Sequence, residues 1–194
     1  MRTATILTIA LLLGVPVFIG AQAAPPATGA PEIFSATAQA KNAKGAVSGT
    51  LEVRLKRYTP DFDRKTVETA LKEGGYPGFL LALRNAPEVG QLVLAGSAPF
   101  AIRYAREKVD AGGRTVLFVT DKPVYFIGGG HSAGSKPRAG YEVAVVQIQL
   151  DEKGQGRGTM AAAARVKLDG DGAVLLDDYA EEPIALINLT RKSS

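Results

Sequence analysis

Nucleophilic serine chemistry is the first chemistry the residues offer, at Gly130-His131-Ser132-Ala133-Gly134, a G-x-S-x-G spelling that follows the apolar run Val124 to Ile127. A serine hydroxyl attacks a carbonyl only when a base removes its proton. His131 is the only histidine in the 194 residues and stands immediately beside Ser132, so no histidine lies downstream to act as that base. A dyad with Lys136 would need no histidine, but nothing in this spacing marks one. The same stretch offers anion capture. Gly128-Gly129-Gly130 lets backbone N–H groups approach a negative charge, and side-chain donors and positive charge follow. The candidate contact residues are Gly129, Gly130, His131, Ser132, Ser135, Lys136 and Arg138, and the ligand they suit is a small anion. The spacing is not the G-x-x-x-x-G-K-[ST] of a phosphate-binding loop.

In spelling, the five residues around Ser132 resemble the nucleophile elbow of the α/β-hydrolase esterases. That resemblance implies a serine hydrolase, with Ser132 at a sharp strand-to-helix turn and an acid and a histidine later in the chain. The departures are two. The downstream histidine is missing, and Ser135-Lys136-Pro137-Arg138-Ala139-Gly140 cannot continue as the required helix, with a proline in its first turns and a glycine after. The residues therefore read as a glycine-rich loop between two strands, and no catalytic residue is assigned.

Metal chemistry has one place to start, Asp169-Gly170-Asp171-Gly172. Alternating Asp and Gly resembles the opening of a calcium loop, but the later oxygen ligands are missing, including the glutamate at the twelfth position. Asp-Gly pairs are also ordinary turn chemistry, so Asp169 and Asp171 are weak candidates and no metal or cofactor is expected. With one histidine and no cysteine, soft ligands for a transition metal are lacking. No acid stands on an apolar strand face to mark a glycosidase pair, and the absence of tryptophan weakens a stacking groove for sugars.

The elements that must position these residues are mostly strands. From Val47 the chain alternates, with Val47, Gly49, Leu51, Val53 and Leu55 on one face and Ser48, Thr50, Glu52, Arg54 and Lys56 on the other. The period then lengthens. Asp63 is expected to cap a helix, Phe62 to staple onto Val67, and Val67, Ala70 and Leu71 to form its apolar stripe until Gly74-Gly75 stops it. Between Tyr76 and Pro87 a second helix after Pro77 and a buried strand fit the same residues, and the helix is favoured. Strands are expected at Gln91–Ala95, Ala101–Lys108, Thr115–Thr120, Val124–Ile127, Tyr141–Leu150, Thr159–Leu168, Val174–Leu176 and Ile184–Thr190. Val116 to Val119 are apolar on both faces, as in a central strand. The alanines of Met160-Ala161-Ala162-Ala163-Ala164 favour helix by propensity alone, but alternation through Leu168 and a hairpin partner of matching length argue for strand. The fold class is therefore mainly β: one antiparallel sandwich or barrel of about eight to ten strands, with one or two short helices inserted after the second.

Residues 1 to 23 read as a signal peptide, with Arg2, an apolar run from Ile6 to Ile19, and Ala21-Gln22-Ala23 before the expected cleavage at Ala24. The run is too short for a retained anchor, which wants roughly 20 apolar residues. Residues 24 to 32 form a Pro, Ala and Gly tether, and a single domain is expected from 33 to 194. Cleavage would leave 171 residues with 22 basic and 19 acidic side chains. That mild balance does not point to nucleic acid as a partner. A chain of this size folds without disulfides, so the absence of cysteine does not conflict with export to a periplasm or the extracellular space. The expected function is a non-enzymatic binding module, with the loop 128–140 meeting a small anionic ligand or another exported protein. The alternatives are a hydrolase using Ser132 and a structural subunit of a cell-envelope assembly that pairs through exposed strand edges.

Overall fold

The computed structural model describes residues 31–42, 45–110, 113–124 and 138–193. Nine strands follow in chain order: β1 (Glu32–Asn42), β2 (Gly45–Leu55), β3 (Gly90–Leu94), β4 (Phe100–Asp110), β5 (Gly113–Thr120), β6 (Val143–Leu150), β7 (Gln155–Leu168), β8 (Val174–Tyr179) and β9 (Ile184–Ser193). One helix, α1 (Asp61–Asn85), lies between β2 and β3. The strands pair in the order β6-β5-β4-β3-β2-β1-β9-β7-β8, and β6 also pairs with β7. That last pairing closes eight strands into an antiparallel barrel and leaves β8 as an extra strand on β7. Of the two architectures the pattern allowed, the barrel is the one formed.

Alternation decides what enters the barrel. Phe34, Ala36 and Ala38 of β1, Leu51, Val53 and Leu55 of β2, and Val116 and Phe118 of β5 are all buried in one cluster that fills the lumen. Eight strands leave an interior just wide enough for side chains to occupy. Phe34 and Phe118 meet there with ring centroids 5.6 Å apart and tilted planes. The second apolar cluster lies outside the barrel wall. Leu117 and Val119 of β5, Val143 and Val145 of β6, and Ala161, Ala164 and Val166 of β7 pack beneath Val67, Leu71, Phe79 and Leu83 of α1. Both faces of β5 are apolar because one faces the lumen and the other the helix.

The helix departs from its expected start but not from its expected interruption. It begins at Asp61 after Pro60, with no side chain capping its first turn. Asp63 is therefore inside the helix, and Phe62 is 80% exposed, so it staples to nothing. The entry is held from a distance instead: Thr59 Oγ1 accepts the N–H of Ala105 at 2.8 Å, and Thr59 N donates to the Ala105 carbonyl at 3.0 Å. Gly74-Gly75 interrupts the helix where expected, with Gly75 at the non-helical φ 60°, ψ −158°, and the favoured second helix follows through Pro77 to Asn85, so that α1 is two helical halves joined at a sharp kink. Proline suits a first helical turn because its missing N–H would have no partner there. The two halves fold against each other so closely that a Cβ on Gly78 would stand 2.7 Å from the Ala70 carbonyl oxygen.

On β7 the register shifts between its Val143 and Val145 partners, so one extra residue is inserted near Ala162. Met160 faces the lumen while Ala164 and Val166 face the helix, so alternation does not run unbroken from Met160 to Leu168. The β6–β7 turn is also tighter than the expected Asp151–Gly158 connection, since β7 begins at Gln155.

Candidate functional site

Beyond the bulge, β7 runs past the barrel and pairs with β8 as a two-stranded ribbon, Arg165 opposite Asp178 and Lys167 opposite Leu175. Ala164, Val166 and Val174 of this ribbon are buried against the helix. Arg165, Lys167, Asp177 and Asp178 make a polar set along it. Arg165 Nη2 pairs with Asp178 Oδ2 at 3.2 Å, and Lys167 Nζ with Asp177 Oδ1 at 3.1 Å. Arg165 Nε faces Asp177 Oδ2 at 3.4 Å as an ion pair without hydrogen-bond geometry.

The connection from β5 to β6 returns against this ribbon. Its last residues form a turn in which Tyr141 N donates to the Arg138 carbonyl at 2.9 Å and Gly140 takes φ 88°, a conformation glycine adopts without strain. Three bonds hold the turn. Tyr141 Oη donates to Asp178 Oδ2 at 2.6 Å, Gly140 N donates to the Glu142 carboxylate at 2.8 Å, and Glu142 N donates to Tyr76 Oη at 2.9 Å. Tyr76 is the residue just after the helix bend, and its hydroxyl reaches the Ala164 carbonyl at 3.4 Å as well. The bend therefore aims a helix side chain at the root of the loop. Two guanidinium groups lie against the Tyr141 ring, Arg138 at 4.9 Å from its centroid and Arg165 at 5.3 Å. The Asp178 carboxylate holds the Tyr141 phenol above its usual range, and the same bond, with a second from Tyr179 N, holds Asp178 below the usual carboxylate range. Burial raises the Tyr76 phenol, so it stays protonated through neutral pH.

Of the candidate contact residues, the described part of the chain contains Arg138 alone. Gly129, Gly130, His131, Ser132, Ser135 and Lys136 lie outside the described residues, as does most of the expected strand Val124–Ile127. Val124 itself is buried in the lumen cluster, and its N–H donates to the Ala162 carbonyl of β7 at 2.9 Å.

Asp169 has an assigned task. Its Oδ1 accepts the N–H groups of Asp171 at 2.9 Å and Ala173 at 2.8 Å, and these bonds, that to Ala173 foremost, lower its pKa. Asp151 does the same in the β6–β7 turn, accepting from Lys153 N and Gln155 N, each at 2.9 Å. Gly154 and Gly172 stand three residues after these acids at φ 72° and 77°. Asp169 is thus a turn residue with an equivalent elsewhere in the chain, and Asp171 is exposed beside it. Among the described residues no group of three or more His, Cys, Asp or Glu is placed to hold a metal ion.

A second charged cluster closes the barrel end where the chain enters. Glu32 accepts from Tyr58 Oη at 2.7 Å and from Arg114 Nη1 at 3.0 Å, and pairs with Arg191 Nε at 2.9 Å. Arg114 also pairs with Glu107, and its guanidinium lies over the rings of Phe34 and Tyr58. Burial alone would raise the Glu32 carboxyl, but the bonds from Arg114 and Tyr58 outweigh it and hold the group below its usual value. Two acids and two arginines balance in charge here, with Arg114 Nε facing Glu107 as an ion pair without hydrogen-bond geometry, so this cluster leaves no net charge over for a ligand.

Comparison of the chain with protein-family models, curated proteins and solved structures finds no match. The reading of function therefore rests on the site itself. Sequence reasoning reached Arg138 through its basic neighbours but missed Tyr141, Arg165 and Asp178. The available signal was the alternation of β7, which puts Arg165 and Lys167 on the side opposite Ala164 and Val166.

Proposed function

We propose that the chain is an exported, non-enzymatic binding module, and that its partner meets the loop 128–140 and the turn at its root. The observation that supports this reading is the hold on that turn: the helix through Tyr76, the ribbon through Asp178 and the loop's own Glu142 all converge on residues 138 to 142. A loop anchored at a rigid root on a β scaffold suits recognition, because less ordering entropy is lost when a partner arrives. The lumen is filled by side chains such as Phe34, Phe118 and Met160, so the reading places the partner outside the barrel. None of the helices in the described residues is long and apolar enough to cross a membrane.

The test is in-cell cross-linking of the full chain against a variant lacking residues 129 to 138. The wild-type chain is expected to give a discrete adduct that the variant, with an unchanged melting curve, does not give. An identical adduct from both chains would place the contact elsewhere.

A further inference from the structure

Eleven arginines lie among the described residues, and they divide by what neutralises them. Arg54, Arg64, Arg103, Arg106, Arg114, Arg165 and Arg191 each face a carboxylate. Arg84 donates to the Asp121 carbonyl at 3.3 Å. The remaining three, Arg57, Arg138 and Arg157, are exposed and form no ion pair with a described residue. Of those three, only Arg138 lies on an aromatic ring, and that ring belongs to Tyr141, which is 6% exposed and hydrogen-bonded to Asp178. Its backbone is fixed in the same turn, since its carbonyl accepts Tyr141 N.

We propose that Arg138, held against Tyr141, is the anchor for a carboxylate of the binding partner. This rests on the binding reading above and names the chemistry at its root. A guanidinium offers a planar fork that fits a carboxylate with two parallel bonds. An exposed ion pair of this kind is ordinarily worth little, because ordering two long side chains offsets the attraction. At Arg138 the stack and the turn have already ordered one side, which sets it apart from Arg57 and Arg157. The surrounding charge chooses the class of anion. Asp177 and Asp178 are matched by Arg165 and Lys167, and the Glu142 carboxylate is turned onto Gly140 N. With Arg138 included, three cations stand against the three carboxylates of Asp177, Asp178 and Glu142, so an arriving anion meets fixed acids that repel a dianion such as phosphate more strongly than a monoanion.

The experiment is a titration of the full chain followed by nitrogen-15 NMR of the arginine Nε–H resonances, at pH 7.5 and constant ionic strength. Sodium acetate, a blocked glutamyl peptide and inorganic phosphate are the three probes. Arg138 is expected to reach half-saturation with acetate at a concentration at least threefold below that of Arg57 and Arg157, and phosphate is expected to show no such preference. Tyr141→Leu should remove the threefold difference, and Arg138→Gln should remove the accompanying shift of the Tyr141 ring protons. A glutamyl peptide tighter than acetate points to an acidic segment of a protein, and the reverse order to a small free acid, each in keeping with the anchor. Equal response of the three arginines, or a preference for phosphate at Arg138, overturns the proposal. A carboxylate-selective Arg138 together with an unchanged adduct from the deletion variant would keep this inference and reject the loop as the partner's contact. An adduct lost in the deletion variant but kept in Arg138→Gln would do the opposite.

Discussion

At the end where the chain enters the barrel, Glu32, Glu107, Arg114 and Arg191 stopper the lumen with matched charge around Tyr58. At the opposite end the seal is apolar. Val124 and Phe100 belong to the lumen cluster, and Thr120 Oγ1 donates to the Lys122 carbonyl at 2.7 Å and accepts Ala144 N at 2.9 Å. At the charged end the acids and arginines are paired with one another, and Arg191 is the member that reaches solvent. The apolar end sends its surplus polar chemistry away from the barrel, onto the β7–β8 ribbon and the turn at Arg138. The lumen of this barrel is filled by its own side chains, so the proposed recognition is placed beside a mouth, and of the two it is the mouth at Arg138 that carries the extra strand β8.

The largest expected effect breaks the charged end. Arg114→Ala leaves the buried Glu32 and the half-buried Glu107 facing each other without their shared cation; removing one partner of a fully buried pair costs about 3–5 kcal/mol, and this part-buried cluster is expected to lose somewhat less. Urea unfolding at pH 7 reads the loss directly. Glu32→Gln sharpens the same point through pH. The Glu32 carboxyl lies below its reference value of 4.5 in the fold, so its contribution is complete above that pH and is lost as pH falls through the folded value. The stability gap between wild type and Glu32→Gln should therefore be constant from pH 7 to about 5 and close under acid, as denaturation midpoints across that range would report. The smallest effect belongs to the loop end. Tyr76→Phe strips the acceptor from Glu142 N and should cost about 1 kcal/mol, with faster amide exchange at Glu142 while the amides of β1 and β2 keep their protection.

What was legible in advance follows from how local each cause is. The alternation from Val47 to Leu55 and the two apolar faces of Thr115–Thr120 need only neighbours in sequence to be read, and both became strands. Helix beyond Pro77 was also readable, because Phe79 and Leu83 fall one turn apart. The start of α1 at Asp61 was not, since Thr59 is answered by Ala105, 46 residues away, where local capping chemistry pointed to Asp63. Closure of the barrel depends on pairings with no local signature. The candidate site is similar in kind: Tyr141 finds Asp178 across 37 residues and Glu142 finds Tyr76 across 66, so a list of basic residues could name Arg138 but not the ring that holds it.

The pairing of β1 with β9 sets Glu32 opposite Ser193, the first strand residue against the last. Ten residues at the end of the chain therefore complete a ring that everything before them leaves open, with β1 and β7 both waiting as bare edges. Such a molecule proofreads its own length: a chain cut short before Ile184 keeps nearly all its apolar content yet shows two adhesive strands to the proteases and neighbours around it. Because the first and last strand residues lie side by side, a barrel joined there and opened at the Asp151–Gly154 turn would keep the same ring of strands and leave the mouth that carries Arg138 in place.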